Sequence, residues 1–224
     1  MPNKKIPQEL LMKASRGFKV PDFRAASIAT EGTEKAQSML IGHAAVFDTA
    51  TNIGGWFIEI IERGAFDGCD FSDVLFCVNH DTRKIPLARS RRNNGNSTMK
   101  LSIDPVGLLV EAAVDTDNNT EARSLYSAVD RGDIDGMSMI FVVADDEWTG
   151  LDTDMPTRRI KKVSKVYEVG AVNWPAYEST DINARDNGAL ESARLMLENV
   201  RSQALESARA VDILRLKNKI MGGI

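Results

Sequence analysis

Between Met39 and Val172 the apolar residues arrive in short runs of strand length, separated by turn residues, and this rhythm confines the chain to a fold built mainly from sheet. Met39–Phe47, Gly54–Ile61 and Val74–His80 are the first three such runs, the third a continuous apolar stretch that ends in two polar residues. Met99–Asp104 alternates, and Leu108–Val114 follows the turn signal Asp104-Pro-Val-Gly107. The period then changes once. Asn119–Gly132 has a polar cap, an early acid, apolar Leu125 and Val129 and a closing glycine, which predicts a helix of about three turns. Ser138–Val143 and Lys162–Val172 return to strand character, with the acidic, Gly- and Pro-bearing residues 145–157 expected as an exposed loop between them. The expected class is α+β, an antiparallel or barrel-like sheet with few helices.

Both ends of the chain differ from this middle. Residues 1–37 carry net charge +3, contain few large apolar residues and read as a flexible N-terminal arm. From Leu190 to Met221 there is neither Pro nor Gly, and Leu, Ala, Arg and Glu dominate. Glu191/Arg194, Glu198/Arg201, Glu206/Arg209 and Asp212/Arg215 repeat an acid-to-base step of three residues, which supports a solvated helix face. Ala193, Leu197, Val200, Ala204, Val211 and Leu214 form a seam, interrupted at Ser207. An amphipathic helix of about 30 residues is expected over 187–224, packed on its own body or paired with itself or a partner. The ends are basic, +3 and +2, and the body over 38–186 holds −9.

Composition excludes several functions. The formal net charge of −4 argues against a protein held on nucleic acid by bulk charge, and 6% aromatic residues against an aromatic base platform. No run reaches the roughly 18 apolar residues of a membrane span, and the basic N-terminus lacks a secretory apolar core. Two cysteines, Cys69 and Cys77, fit a reducing compartment rather than a disulfide framework. Cys77 and His80 make one Cys-x-x-His pair without a second pair to complete a zinc site, and Asp145, Asp146, Asp152 and Asp154 lack calcium-loop spacing. No phosphate-binding glycine motif occurs.

The candidates for chemistry are few. His43 lies inside an apolar run and reads as a partly buried strand histidine, whereas His80 ends a strand beside polar residues, where a scaffold can present a base to a cleft. Ser138 follows a glycine turn into a strand, placed to project a hydroxyl or to bond the backbone at the turn. A hydroxyl nucleophile needs a base in reach, and the base needs an orienting acceptor. Glu168, among apolar neighbours, is one candidate acceptor, or else the outward acid of an alternating strand.

In this order and spacing the segments Gly42–Phe47, Phe57–Phe66, Val78-Asn-His-Asp81, Gly107–Val110, Gly132–Phe141 and Glu168–Ala176 resemble the prohead maturation proteases of tailed phages, distant fold relatives of the herpesvirus assemblin serine proteases. The resemblance spans roughly residues 38–186, the expected protease domain. It implies a β-barrel-like core flanked by helices and a serine endopeptidase without a cofactor, with the histidine carried onto His80, the nucleophile onto Ser138 and the third member onto Glu168. It also implies a role in the host cytoplasm, inside the procapsid: cleaving scaffold segments from the major capsid protein, then often degrading itself. Gly170 stands where the family commonly has Ser, and Ile140 where it commonly has Gly. The oxyanion donors would be backbone N–H groups or an Arg aimed at the tetrahedral intermediate, for which Arg158 and Arg159 are the arginines considered. The rival reading is a non-enzymatic scaffold or assembly protein on the same fold, acting through its tail.

Overall fold

A computed structural model describes residues 13–19, 22–29, 36–91, 97–173 and 187–221. The order is β1 (Lys13–Lys19), β2 (Arg24–Ile28), β3 (Gln37–Val46), β4 (Thr51–Ile53), β5 (Phe57–Ile61), β6 (Asp73–Val78), β7 (Ala88–Arg91), β8 (Met99–Ile103), β9 (Gly107–Ala113), α1 (Thr120–Asp130), β10 (Gly136–Thr149), β11 (Thr157–Val172) and α2 (Asn187–Met221). The α+β class holds, with strands dominant.

The strands form two sheets. One is antiparallel throughout, in the order β2-β3-β9-β8. The other runs β1-β10-β11-β5-β4, with β6 joined to β11 and β7 to β6. Two of its pairings are parallel: β11 meets β5 through Thr157–Ile160 and β6 through Glu168–Ala171. A 16-residue strand is long enough to take two short neighbours in succession along one edge. Among the described strands neither ladder closes on itself, so the expected barrel-like closure is not seen there.

One apolar core joins both sheets and α1. Leu40, Leu108, Val110 and Ala112 from one sheet meet Phe76, Met137, Met139, Phe141, Val163 and Val169 from the other. Helix α1 closes over them with Ala122, Leu125 and Val129, the i, i+3, i+7 face of the predicted helix. Its N-cap is Asn119, whose side chain accepts from the Glu121 and Ala122 N–H groups.

Three segments depart from expectation. Strands β1 and β2 fall within residues 1–37, read from sequence as a flexible arm. Their short apolar content hid ladders to β10 and β3 that order them, while residues 1–12 lie outside the described residues. The loop expected over 145–157 is mostly hairpin, since β10 runs on to Thr149 and β11 starts at Thr157. Two of its acids are strand residues paired across the ladder, Glu147 with Lys161 and Asp146 with Arg158, while Asp152 and Asp154 lie in the turn. Helix α2 divides in two. Ala193 and Leu197 are buried against Ile53, Phe57, Trp148 and Leu151, and Arg201 donates to the Leu151 and Thr153 carbonyls, whereas residues 202–220 are all exposed. The seam thus packs on its own body at Ala193 and Leu197 and is exposed at Ala204, Val211 and Leu214.

Candidate active site

Three strands that meet side by side bring the candidate residues together. Ser138 on β10 lies directly opposite Gly170 on β11, and Gly170 lies opposite Cys77 on β6. Glu168 precedes Gly170 by two residues and so shares its face of the sheet. His80 follows the end of β6 by two residues. A regular strand would carry it off the sheet, but Asn79 and His80 both take left-handed backbone conformations, φ 51° and 58°, and turn the ring back.

The result is a continuous hydrogen-bonded line. His80 Nε2 is 2.5 Å from Ser138 Oγ, and His80 Nδ1 is 2.6 Å from Glu168 Oε2. With Nδ1–H donating to the carboxylate, Nε2 is left as the acceptor for the serine hydroxyl. Ser138 is 1% exposed and Glu168 fully buried, while the His80 side chain keeps 17% exposure, so the ring is the member nearest solvent. Glu168 Oε1 is buried without a hydrogen-bond partner among the described residues. Such an arrangement can deprotonate a hydroxyl as it attacks and stabilise the imidazolium that forms.

The remaining candidates lie elsewhere or do other work. His43 is buried on β3 with Nδ1 2.5 Å from Asp22 and Nε2 2.9 Å from Asp104, a link between two loops with no hydroxyl on either nitrogen. Burial pushes the Asp104 carboxyl up, but the Gly107 N–H, His43 and the Val106 N–H together hold it below the ordinary value. Cys77 borders the site as a buried thiol. Burial, and then the neighbouring Glu168 charge, push its pKa up to about 12, the reverse of a reactive or metal-binding cysteine. Among the described residues no group of three or more His, Cys, Asp or Glu is placed to hold a metal ion. Asp146 is engaged by Arg158.

Arg158 and Arg159 are not oxyanion donors for Ser138. Arg158 pairs with Trp148, ten residues along β10 from Ser138, about 30 Å at roughly 3.3 Å per residue. It is buried between Glu59 and Asp146, and Arg159 pairs with Glu62. Sequence reasoning missed one residue that shapes the site, Asn79, and named Gly170 only as a departure from the family pattern. The signal for Asn79 was its place before His80 at the end of an apolar run, because asparagine tolerates a left-handed turn.

Residues 25–193 match the family described as caudovirus prohead serine protease. The chain is similar to the prohead protease of Enterobacteria phage HK97, 29% identical over 191 residues that cover 82% of this chain and 77% of the relative. A solved structure of the bacteriophage T4 capsid assembly protease aligns with 72% of this chain and 99% of its own, at 10% identity and a TM-score of 0.40.

Proposed function

Because the chain belongs to the caudovirus prohead serine protease family, and so is a phage capsid maturation protease, we propose that His80, Ser138 and Glu168 are its catalytic triad. The carrying observation is that the two ring nitrogens of His80 face the other two members, at 2.5 and 2.6 Å. Ser138 Oγ attacks the peptide carbonyl carbon as its proton passes to His80 Nε2. The same proton then goes to the leaving amine, whose C–N bond breaks, and water repeats the cycle to release the acyl group. Glu168 holds the ring in the required tautomer and stabilises its cation. No cofactor enters these steps.

The substrates in this reading are scaffold segments of the major capsid protein, cut inside the procapsid within the bacterial host cytoplasm, and the enzyme itself. The body spans about 38–186, with β1 and β2 added to it by the ladders described above. The first turns of α2 also belong to the body, and the later turns form a tail able to self-associate. None of the described helices is long and apolar enough to cross a membrane.

The test is co-expression with the capsid subunit and mapping of product ends by mass spectrometry. Ser138→Ala and His80→Ala should each abolish processing while the fold stays intact, and Glu168→Gln should impair it less. Normal processing by Ser138→Ala sinks the serine mechanism and leaves the non-enzymatic assembly reading. Complete loss with His43→Ala in a folded protein means the other histidine is the base.

A further inference from the structure

We propose that Asn79 is a positioning residue for His80, clamping the turn that carries the base to the strand that carries its acid; the inference rests on the triad reading above. Asn79 makes two hydrogen bonds to the end of β11. Its backbone N–H donates to the Ala171 carbonyl at 2.9 Å, and its side-chain Oδ1 accepts from the Asn173 N–H at 3.0 Å. The two anchors grip β11 on either side of Val172, three to five residues beyond Glu168. The peptide that leads into His80 is therefore referenced directly to the strand holding Glu168 and, across it, Ser138.

The backbone explains why asparagine does this. Asn79 and His80 are consecutive non-glycine residues at positive φ, a conformation that is disfavoured for most side chains and persists only where its surroundings hold it. Asparagine visits this region more readily than nearly any other non-glycine residue, and its amide oxygen reaches a backbone donor of the adjoining strand. The turn behind it is closed by Asp81 N–H to Val78 O at 3.1 Å and Thr82 N–H to His80 O at 2.9 Å. These bonds are internal to the loop and fix its shape. The Asn79 bonds tie the backbone of the turn to the end of β11, and hydrogen bonds of 2.5 and 2.6 Å at the ring tolerate little displacement.

The test uses the full chain and a reagent whose chemistry does not depend on substrate preference. Diisopropyl fluorophosphate phosphorylates an activated serine: the Ser138 Oγ–P bond forms, P–F breaks, fluoride departs and His80 takes the hydroxyl proton. Asn79→Ala removes both the acceptor and the left-handed preference, and should lower the second-order labelling rate about 100-fold, the cost of an ångström-scale misplacement. Asn79→Gly keeps the turn but loses the acceptor, and should lose about tenfold, roughly the worth of one hydrogen bond. Asn79→Asp keeps both features and should stay within about fivefold of the wild type, since a carboxylate oxygen accepts the same bond. The proton shared by His80 and Glu168 should appear far downfield in the NMR spectrum of the wild type and Asn79→Asp, and vanish in Asn79→Ala.

A wild type that is never labelled on Ser138 sinks the triad and this inference together. A labelled wild type with Asn79→Ala folded and equally fast sinks the role of Asn79 alone. If Asn79→Ala does not fold, the Asp and Gly variants decide: equal rates in the two overturn the clamp, and rescue by Asp alone supports it.

Discussion

Gly170 is the crossing point of the three strands that carry Glu168, His80 and Ser138, and replacing it with alanine is the sharpest perturbation available. A Cβ built at Gly170 lies 1.9 Å from the Cys77 carbonyl oxygen and 2.7 Å from Glu168 Oε1. Real Cβ atoms essentially never approach closer than 3.0 Å, and ordinary contact begins near 3.4 Å, so β6 must retreat from β11 by roughly 1.1–1.5 Å. His80 rides on β6 three residues beyond Cys77. A retreat of that size along the His80–Ser138 line stretches 2.5 Å past hydrogen-bond reach. The methyl group also crowds the carboxylate that orients the ring. Gly170→Ala should therefore lose about 100-fold in kcat with KM little changed. Overpacking should cost about 1–3 kcal/mol as well, a fall in Tm of roughly 2–4 °C for each kcal/mol in a chain this size. The assay is single-turnover cleavage of the capsid subunit beside thermal unfolding of the same sample. A Gly170→Ala protein that cleaves at the wild-type rate refutes the reasoning, because the strand spacing then has slack that the contact distances deny. Gly170→Ser carries the same Cβ and should show the same clash.

Arg158→Met withdraws the guanidinium that lies 3.0 Å from buried Glu59, and should cost about 3–5 kcal/mol, read as a lowered Tm, with the Ser138 labelling rate unchanged below the transition. Asp104 and Asp70 titrate below their ordinary value of 3.8 in the folded chain: Lys165 holds Asp70 down, and for Asp104 the Gly107 N–H, His43 and the Val106 N–H outweigh burial. Their stabilisation is therefore complete above that value and lost as pH falls through the folded one, so urea midpoints should hold from pH 7 to 5 and drop below 4, less steeply in Asp104→Asn. Cys77 should resist iodoacetamide at pH 8 in the folded protein, because a thiol pushed to about 12 is almost wholly protonated there, and rapid alkylation would contradict its burial. Leu197→Ala should cost about 2–5 kcal/mol by opening the small core under α2, while a chain ending after Arg201 should keep the wild-type Tm because residues 202–220 are exposed.

The legible parts of this molecule were those in which local pattern and burial agree. Strands β3, β5, β6, β8 and β9 and helix α1 each announce themselves by apolar period, because one side of each packs into the core. His80 and Ser138 stood out for the same reason: each is a polar residue at the boundary of an apolar run. Strands β1 and β2 were missed because backbone ladders order them, which composition does not record. The polar half of the β10–β11 hairpin was read as loop because Asp145, Asp146 and Glu147 lack partners within a short window, whereas their cationic partners follow a dozen or more residues later. The parallel pairing of β11 with β5 and β6 joins segments about 90–100 residues apart, and nothing local encodes it. Gly170 looked like a loss of a family side chain, and only the distance to the Cys77 carbonyl turns it into a packing requirement.

The length of that hairpin separates two demands on the enzyme. At one end Ser138 and Glu168 face His80; at the other Trp148 and Leu151 form part of the bed on which Ala193, Leu197 and Arg201 of α2 rest. The ends are about 30 Å apart along the strands, well beyond the 7–10 Å within which substitutions ordinarily couple. Changes to the exposed turns of α2 should therefore leave cleavage undisturbed. The converse fails for the first turns: Leu197 and Ala193 cover Phe57, which lies on β5, and β5 pairs with the start of β11. A cut that removes all of α2 uncovers that strand and loosens the far end of the same sheet. The exposed turns can thus be removed without loosening the sheet only if the division falls after Arg201, where the helix leaves the body.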